Sequence, residues 1–337
     1  MSVCFASSDP LASHFCHLQC NRGYYGWHHL RSLSLCGRNR LSVAKRKRVL
    51  LASCILSFIV AILFSSSTSS GQKNKPAITA PPVLLKRTIS RHESARLGFG
   101  GSVTIVGAPI GSVVVEGWQK NEVDLSAEIE LQAENEADLD KLATVNGFVF
   151  DEDLNHVSIL SAGTHDKDYM KLSFKDFPKR LLGLPWKADF KLHVPASSDI
   201  EINAGHGPLT LSGVEGAIRI NATESETTLT MTGGLVTATV TAGRVRLVVP
   251  VRSWRGGGAD IRVAGGVVDV ELPPGFNGDF DADILRIGKI VNSYDGLEKR
   301  EKPGITERVV RARAGAGGAF FKFTVGEGTI NFSKRTE

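Results

Sequence analysis

Cysteine is absent after Cys54, although the chain runs to 337 residues and holds five. Cys4, Cys16, Cys20, Cys36 and Cys54 all lie near the start, so a disulfide framework is excluded for the bulk of the protein. Aromatic residues are scarce at 7%. The bulk also lacks excess positive charge. The net +5 is set by the cluster Lys45–Arg48 and the upstream Arg22, Arg31, Arg38 and Arg40, which face only Asp9. The remainder is slightly acidic and has no basic stripe interleaved with aromatics, so nucleic acid is not the expected partner. What is abundant is glycine, with 35 residues, beside a hydrophobic share of 42% that is enough for a packed core. Short strands joined by tight turns give this profile.

One long apolar run stands out. Val49 to Phe64 reads VLLASCILSFIVAILF, follows the basic cluster and leads into Ser65–Ser70, with no charge between Arg48 and Lys73. It falls slightly short of the about 20 residues that span a bilayer, and the uncharged Ser/Thr stretch extends it. Basic residues on its N-terminal side predict a cytoplasmic N-terminus and an extracytoplasmic remainder. A cleaved signal peptide is the competing reading. A buried core helix is not expected with KRKR directly against it. Leu51–Cys54 resembles a lipoprotein cleavage box, but it sits at the start of the apolar run instead of its end.

Residues 1–40 have a different character, without periodicity. Cys16-His17-x-x-Cys20 with His28-His29 suggests zinc, but paired C-x-x-C elements at finger spacing are absent. Initiation near Leu41 would produce a signal-sequence layout with a basic start. The organisation expected is therefore a cytoplasmic or non-native extension over 1–48 and a transmembrane anchor or signal peptide over 49–70. A linker over 71–84 and an all-β domain over 85–337 follow.

Within that domain, Gly101–Val106, Gly111–Glu116, Asn121–Leu131, Val145–Phe150 and His156–Leu160 carry strand patterns. Asn135–Thr144 predicts the one short helix. Tyr169–Trp186 differs. It mixes Phe174, Phe177, Leu181 and Trp186 with Lys171, Lys175, Lys179 and Arg180. Such a segment suits a membrane surface or a partner contact. The plainer reading, which the prolines and glycine favour, is a loop covering the open end of a β structure.

After Pro195 the sequence repeats every 18 residues: Ile200, Ile218 and Val236, and again Leu211, Leu229 and Leu247. After a break at Val251–Gly258, Ile261, Val263, Val270 and Leu272 match the offsets of Ile200, Ile202, Leu209 and Leu211. One such unit cannot bury its apolar face alone, whereas stacked units share a continuous core, so a β-solenoid of about 18 residues per coil is expected. Stacking at roughly 4.8 Å would align Asn203 with Asn221, Thr210 with Thr228 and Glu201 with Arg219 as structural columns.

These repeats, with GSVVVEGW (Gly111–Trp118), KLHVPASSDIEINAGHGPLTLSGVEG (Lys191–Gly216), ELPPGFNGDFDADI (Glu271–Ile284) and GEGTINFSK (Gly326–Lys334), resemble the DUF4097 family, adhesin-type domains of bacterial envelope proteins. The resemblance implies a right-handed β-solenoid, an export signal or single anchor, and no established activity.

No catalytic, cofactor or metal residues are expected. Asn277, Asp279, Asp281 and Asp283 alternate like a Ca²⁺ loop, but the glycine and the closing glutamate are missing, so an exposed strand face is the expectation. His165-Asp166-x-Asp168 reads as a solvated loop. Gly256–Gly258 and Gly315–Gly318 lack the Lys-Ser/Thr of a phosphate loop. The leading expectation is a non-enzymatic envelope protein for adhesion or scaffolding, with a glycan or envelope protein as partner. The alternatives are a regulatory or sensory partner in an envelope stress system, with Tyr169–Trp186 as its contact, and a glycan-active enzyme.

Overall fold

The structure, a computed structural model, describes residues 84–335. The extension, Val49–Phe64 and most of the linker lie outside the described residues. Alternating apolar residues build the first strands: β1 (Leu85–Arg96), β2 (Ser102–Val106), β3 (Val113–Trp118) and β4 (Glu122–Ala133). In β4, Val123, Leu125, Ala127, Ile129 and Leu131 are all buried and their neighbours face outward. Helix α1 (Glu136–Val145) starts where Asn135 accepts a hydrogen bond from the Asp138 amide, an N-cap. β5 (Gly147–Asp153) and β6 (His156–Ala162) form a hairpin. A second helix, α2 (Lys167–Ser173), and a 3₁₀ turn at Lys179–Leu181 precede β7 (Trp186–Pro195). Neither is read from the sequence, because α2 has only seven residues, too few for a helical period to emerge.

The centre of the domain is a parallel stack. β8 (Asp199–His206) and β9 (Leu209–Ser212) together pair with β10 (Ala217–Thr230), which pairs with β11 (Gly233–Val248), and then β12 (Arg255–Leu272). Register follows the repeat. Ile200, Ile218 and Val236 align, as do Leu211, Leu229 and Leu247. The expected columns form, and Asn221 Nδ2 donates to Asn203 Oδ1 at 2.9 Å. The fourth unit needs a correction. Ile261 aligns with Ala238, in the column of Ile202, and Val270 aligns with Leu247, in the column of Leu211. The expected alignment was two residues out. A slip of two keeps every side chain on its face, so apolar alternation alone does not detect it.

At both ends the spatial order departs from chain order. β2 and β3 lie between β6/β7 and β8/β9, all parallel. At the far end, β16 (Phe320–Lys334) inserts in parallel between β12 and β13 (Gly278–Asn292). Antiparallel strands then close each end: β4 and β1 beyond β7, and β15 (Val309–Ala314) and β14 (Leu297–Lys299) beyond β13. Among the described residues, all sixteen strands belong to one hydrogen-bonded network that does not close on itself.

The corners explain part of the glycine content. Gly243, Gly266, Gly328 and Gly288 align across four successive strands, each with positive φ. A Cβ on Gly266 would lie 1.8 Å from the Gly243 carbonyl oxygen, and one on Gly328 would lie 1.7 Å from that of Gly266. Only glycine permits both that backbone conformation and so close an approach.

Candidate functional site

Among the concave features of the described residues, two are chemically distinct and bear on function. The first is a shallow cleft of about 360 Å³ over the outer face of β2, β8, β10 and β11, lined by Thr104, His156, Glu201, Arg219 and Thr237 among others. Strand alternation puts these side chains outward while Val103, Ile202 and Ile220 point into the core. The cleft is preorganised. His156 Nδ1 lies 2.7 Å from Ser102 Oγ and its Nε2 lies 2.9 Å from Ser158 Oγ. Asp199 Oδ1 accepts from the Ala217 amide at 2.7 Å. Asn203 Nδ2 donates to Glu201 Oε1 at 3.3 Å. The result is a floor that presents hydroxyl, imidazole, carboxylate and guanidinium groups beside the exposed Leu235, suited to a ligand with hydroxyl groups and an apolar face. Its members come from stacked strands, so the 18-residue columns of Glu201 and Arg219 are the sequence signal that marks it.

The second feature is built by the segment between β6 and β7. Asp166 caps α2 by accepting from the Asp168 and Tyr169 amides. Tyr169 and Met170 pack with Val145 and Ala162 in a small satellite core. The four residues marked in the sequence as a partner contact divide. Leu181 and Trp186 are 1% and 7% exposed and belong to the main core, so the segment covers the end of the stack. Phe174 and Phe177 are half-buried and, with Thr164, Met170 and Leu182, line a groove of about 420 Å³. Lys167, Lys171, Lys175 and Lys179 also line it, and no acidic residue does. His165 stacks at a tilt on Trp186, 5.3 Å between centroids, and burial holds its pKa below the ordinary histidine value.

The segment is clamped to α1. Arg180 donates two hydrogen bonds to Asp138, at 2.5 and 2.6 Å, and this guanidinium holds the Asp138 carboxyl below the usual carboxylate range. Asp138 is itself only 2% exposed.

The alternating acids of β13 have a different role. Arg313 donates to Asp279, Arg311 to Asp283 and Arg300 to Asp281, at 2.7 to 2.9 Å. The Arg313 hydrogen bond keeps the Asp279 carboxyl below its ordinary pKa. These arginines arrive from β15 and the end of β14, far along the chain, which is why sequence spacing alone shows only the acids. Among the described residues no group of three or more His, Cys, Asp or Glu is placed to hold a metal ion, and no helix is long and apolar enough to cross a membrane.

No protein-family profile matches the chain, and neither does any curated protein. Among solved structures, a candidate cell adhesion protein from Clostridium sporogenes is similar at TM-score 0.37 and 11% identity, over 73% of this chain and 100% of that one. A candidate adhesin from Bacteroides fragilis is similar at TM-score 0.30 and 12% identity, over 73% of this chain and 97% of that one. At these values neither likeness transfers a function to this chain.

Proposed function

We propose that the protein is a non-enzymatic cell-envelope protein. Val49–Phe64 anchors or exports it, and the domain is a β-solenoid of the DUF4097 type that presents its outer face for adhesion or scaffolding. The observation that carries the reading is the continuous in-register stack from β2 to β11, whose outward side chains form the polar cleft around Glu201, Arg219 and Thr237. A stacked sheet is rigid and repeats its polar groups at roughly the 4.8 Å strand spacing, so it offers an extended ligand evenly spaced hydrogen-bonding groups at low ordering cost. The partner expected is an envelope glycan or a polar surface of an envelope protein.

Binding of the full-length protein to whole cells and to a glycan array tests this. Arg219→Ala with Thr237→Ala should lower binding at least tenfold while leaving Tm within a few degrees. Undiminished binding by that variant would overturn the assignment of the cleft.

A further inference from the structure

The lysine-rimmed groove has no role in the cleft just described, and its chemistry is specific. Its floor is apolar: Met170, Phe174, Phe177 and the exposed Leu182. Its rim is cationic. Lys167 and Lys171 are four apart on α2 and so share one helix face, and Lys175 and Lys179 continue the rim beyond the helix. All four are exposed. Lys171 lies 3.5 Å from Asp168, with both side chains largely in solvent, and no ion pair engages Lys167, Lys175 or Lys179 among the described residues. Leu172, on the same helix, is 58% exposed. An apolar floor ringed by exposed ammonium groups, three of them with no ion-pair partner among the described residues, complements a ligand with an anionic head and hydrocarbon behind it.

The position of the groove identifies which such ligand it meets. β1 begins at Leu85, paired with Ala133 just before the α1 cap. Arg87 near that start donates to Glu136 and Asp140 of α1, and Arg180 of the groove segment donates to Asp138 of the same helix. The chain thus enters the domain at the end that carries the groove. About 20 residues separate Phe64 from Leu85, which reach at most roughly 70 Å when fully extended.

We infer that the groove segment is a membrane-facing surface, in which Lys167, Lys171, Lys175 and Lys179 bind the headgroups of anionic lipids and the Phe174–Phe177–Leu182 floor receives acyl chain. The placement near a bilayer rests on the anchoring by Val49–Phe64 proposed above, whereas the charge and apolar complementarity do not. Basic residues at an anionic bilayer each add attraction that fades within a Debye length, so proximity matters.

The test uses the full chain reconstituted into phosphatidylcholine vesicles with and without phosphatidylglycerol, whose anionic headgroups give the surface a negative potential that attracts polybasic segments. Lysine reactivity towards an acetylating reagent is mapped by mass spectrometry, and vesicle association is measured in parallel. The four rim lysines should lose at least threefold reactivity in the anionic vesicles only, while Lys299 at the opposite end should not change. Adding octanoate, a fatty acid short enough to stay largely in water, to the neutral vesicles should not reproduce the protection; if it does, the occupant is a free fatty acid and the membrane assignment is overturned. Association with both vesicle types without rim protection would overturn the inference and leave the anchor standing. Protection in anionic vesicles with no association to neutral ones would support the groove and overturn the anchor. Failure to associate with either would overturn both.

Discussion

The two ends of the stack solve the same problem with different chemistry. Each has to cover the last parallel strand, and each does so with antiparallel strands. At the β13 end, Phe276, Phe280, Phe321, Phe323 and Phe332 pack ring against ring, and outside them Asp279, Asp281 and Asp283 are matched by Arg313, Arg300 and Arg311. At the β7 end, α1 covers the core through Leu139 and Leu142 and the 3₁₀ turn through Leu181, and of the four lysines around the groove only Lys171 has an acid beside it among the described residues, Asp168. One end spends its charges on itself. The other also pairs Arg180 with Asp138 and Arg87 with Glu136 and Asp140, but leaves Lys167, Lys175 and Lys179 without an ion-pair partner among the described residues. Matched charges hold a structure together, whereas an unmatched set on an exposed rim adds little to folding and is free to serve binding.

The largest effect should come from the aromatic cores. Phe321→Ala at one end and Trp186→Ala at the other should each cost about 3–5 kcal/mol, the range for buried aromatics cut to alanine, measured by urea denaturation. A loss under 1 kcal/mol for Trp186→Ala would show that the segment does not seal the stack. Next come the matched charges. Arg311→Ala strands the partly buried Asp283 carboxylate and leaves Asp281 to Arg300 alone, and should cost about 1–2 kcal/mol, seen as a fall of several degrees in Tm.

The two ends share one pH dependence. Asp138 and Asp279 have lowered folded pKa values, through Arg180 and Arg313 respectively. Their contributions are therefore fully present above the ordinary carboxylate pKa of about 3.9 and are lost as pH falls through the lower folded values. A Tm profile from neutral to strongly acid pH should flatten in Asp138→Asn, and flatten further when Asp279→Asn is added. An unaltered profile would show that neither pair is formed in solution. The smallest effect belongs to the rim. Replacing Lys167, Lys171, Lys175 and Lys179 together with serine should change stability by no more than about 0.5 kcal/mol. A loss comparable to that of Arg311→Ala would mean the lysines are structural and would erase the contrast between the ends.

Much of the fold was legible in the residues. The β4 alternation, the Asn135-capped helix and the Ile200–Ile218–Val236 column all follow from local periodicity, and their register is as the 18-residue spacing implies. Legibility failed where a signal was not local. The two-residue slip at Ile261 preserved facing. Nothing in the segment Phe320–Lys334 indicates that it lies between β12 and β13 instead of after them. Of the candidate site, the Tyr169–Trp186 segment was marked by its composition, but composition did not separate core members from rim members. Leu181 and Leu182 are adjacent in sequence, yet one is 1% exposed and the other 40%.

By itself the sequence determined the strand faces, the 18-residue register from β8 to β11 and the concentration of cysteine and basic charge ahead of the domain, because each follows from the spacing of neighbouring residues. The tertiary structure alone decided which strands are neighbours at the two ends, which arginines neutralise the β13 aspartates and which lysines remain unmatched. Those outcomes depend on pairings between residues far apart in the chain, such as Asp279 with Arg313 and Arg180 with Asp138, and a pairing at that separation is set by packing and charge complementarity in three dimensions.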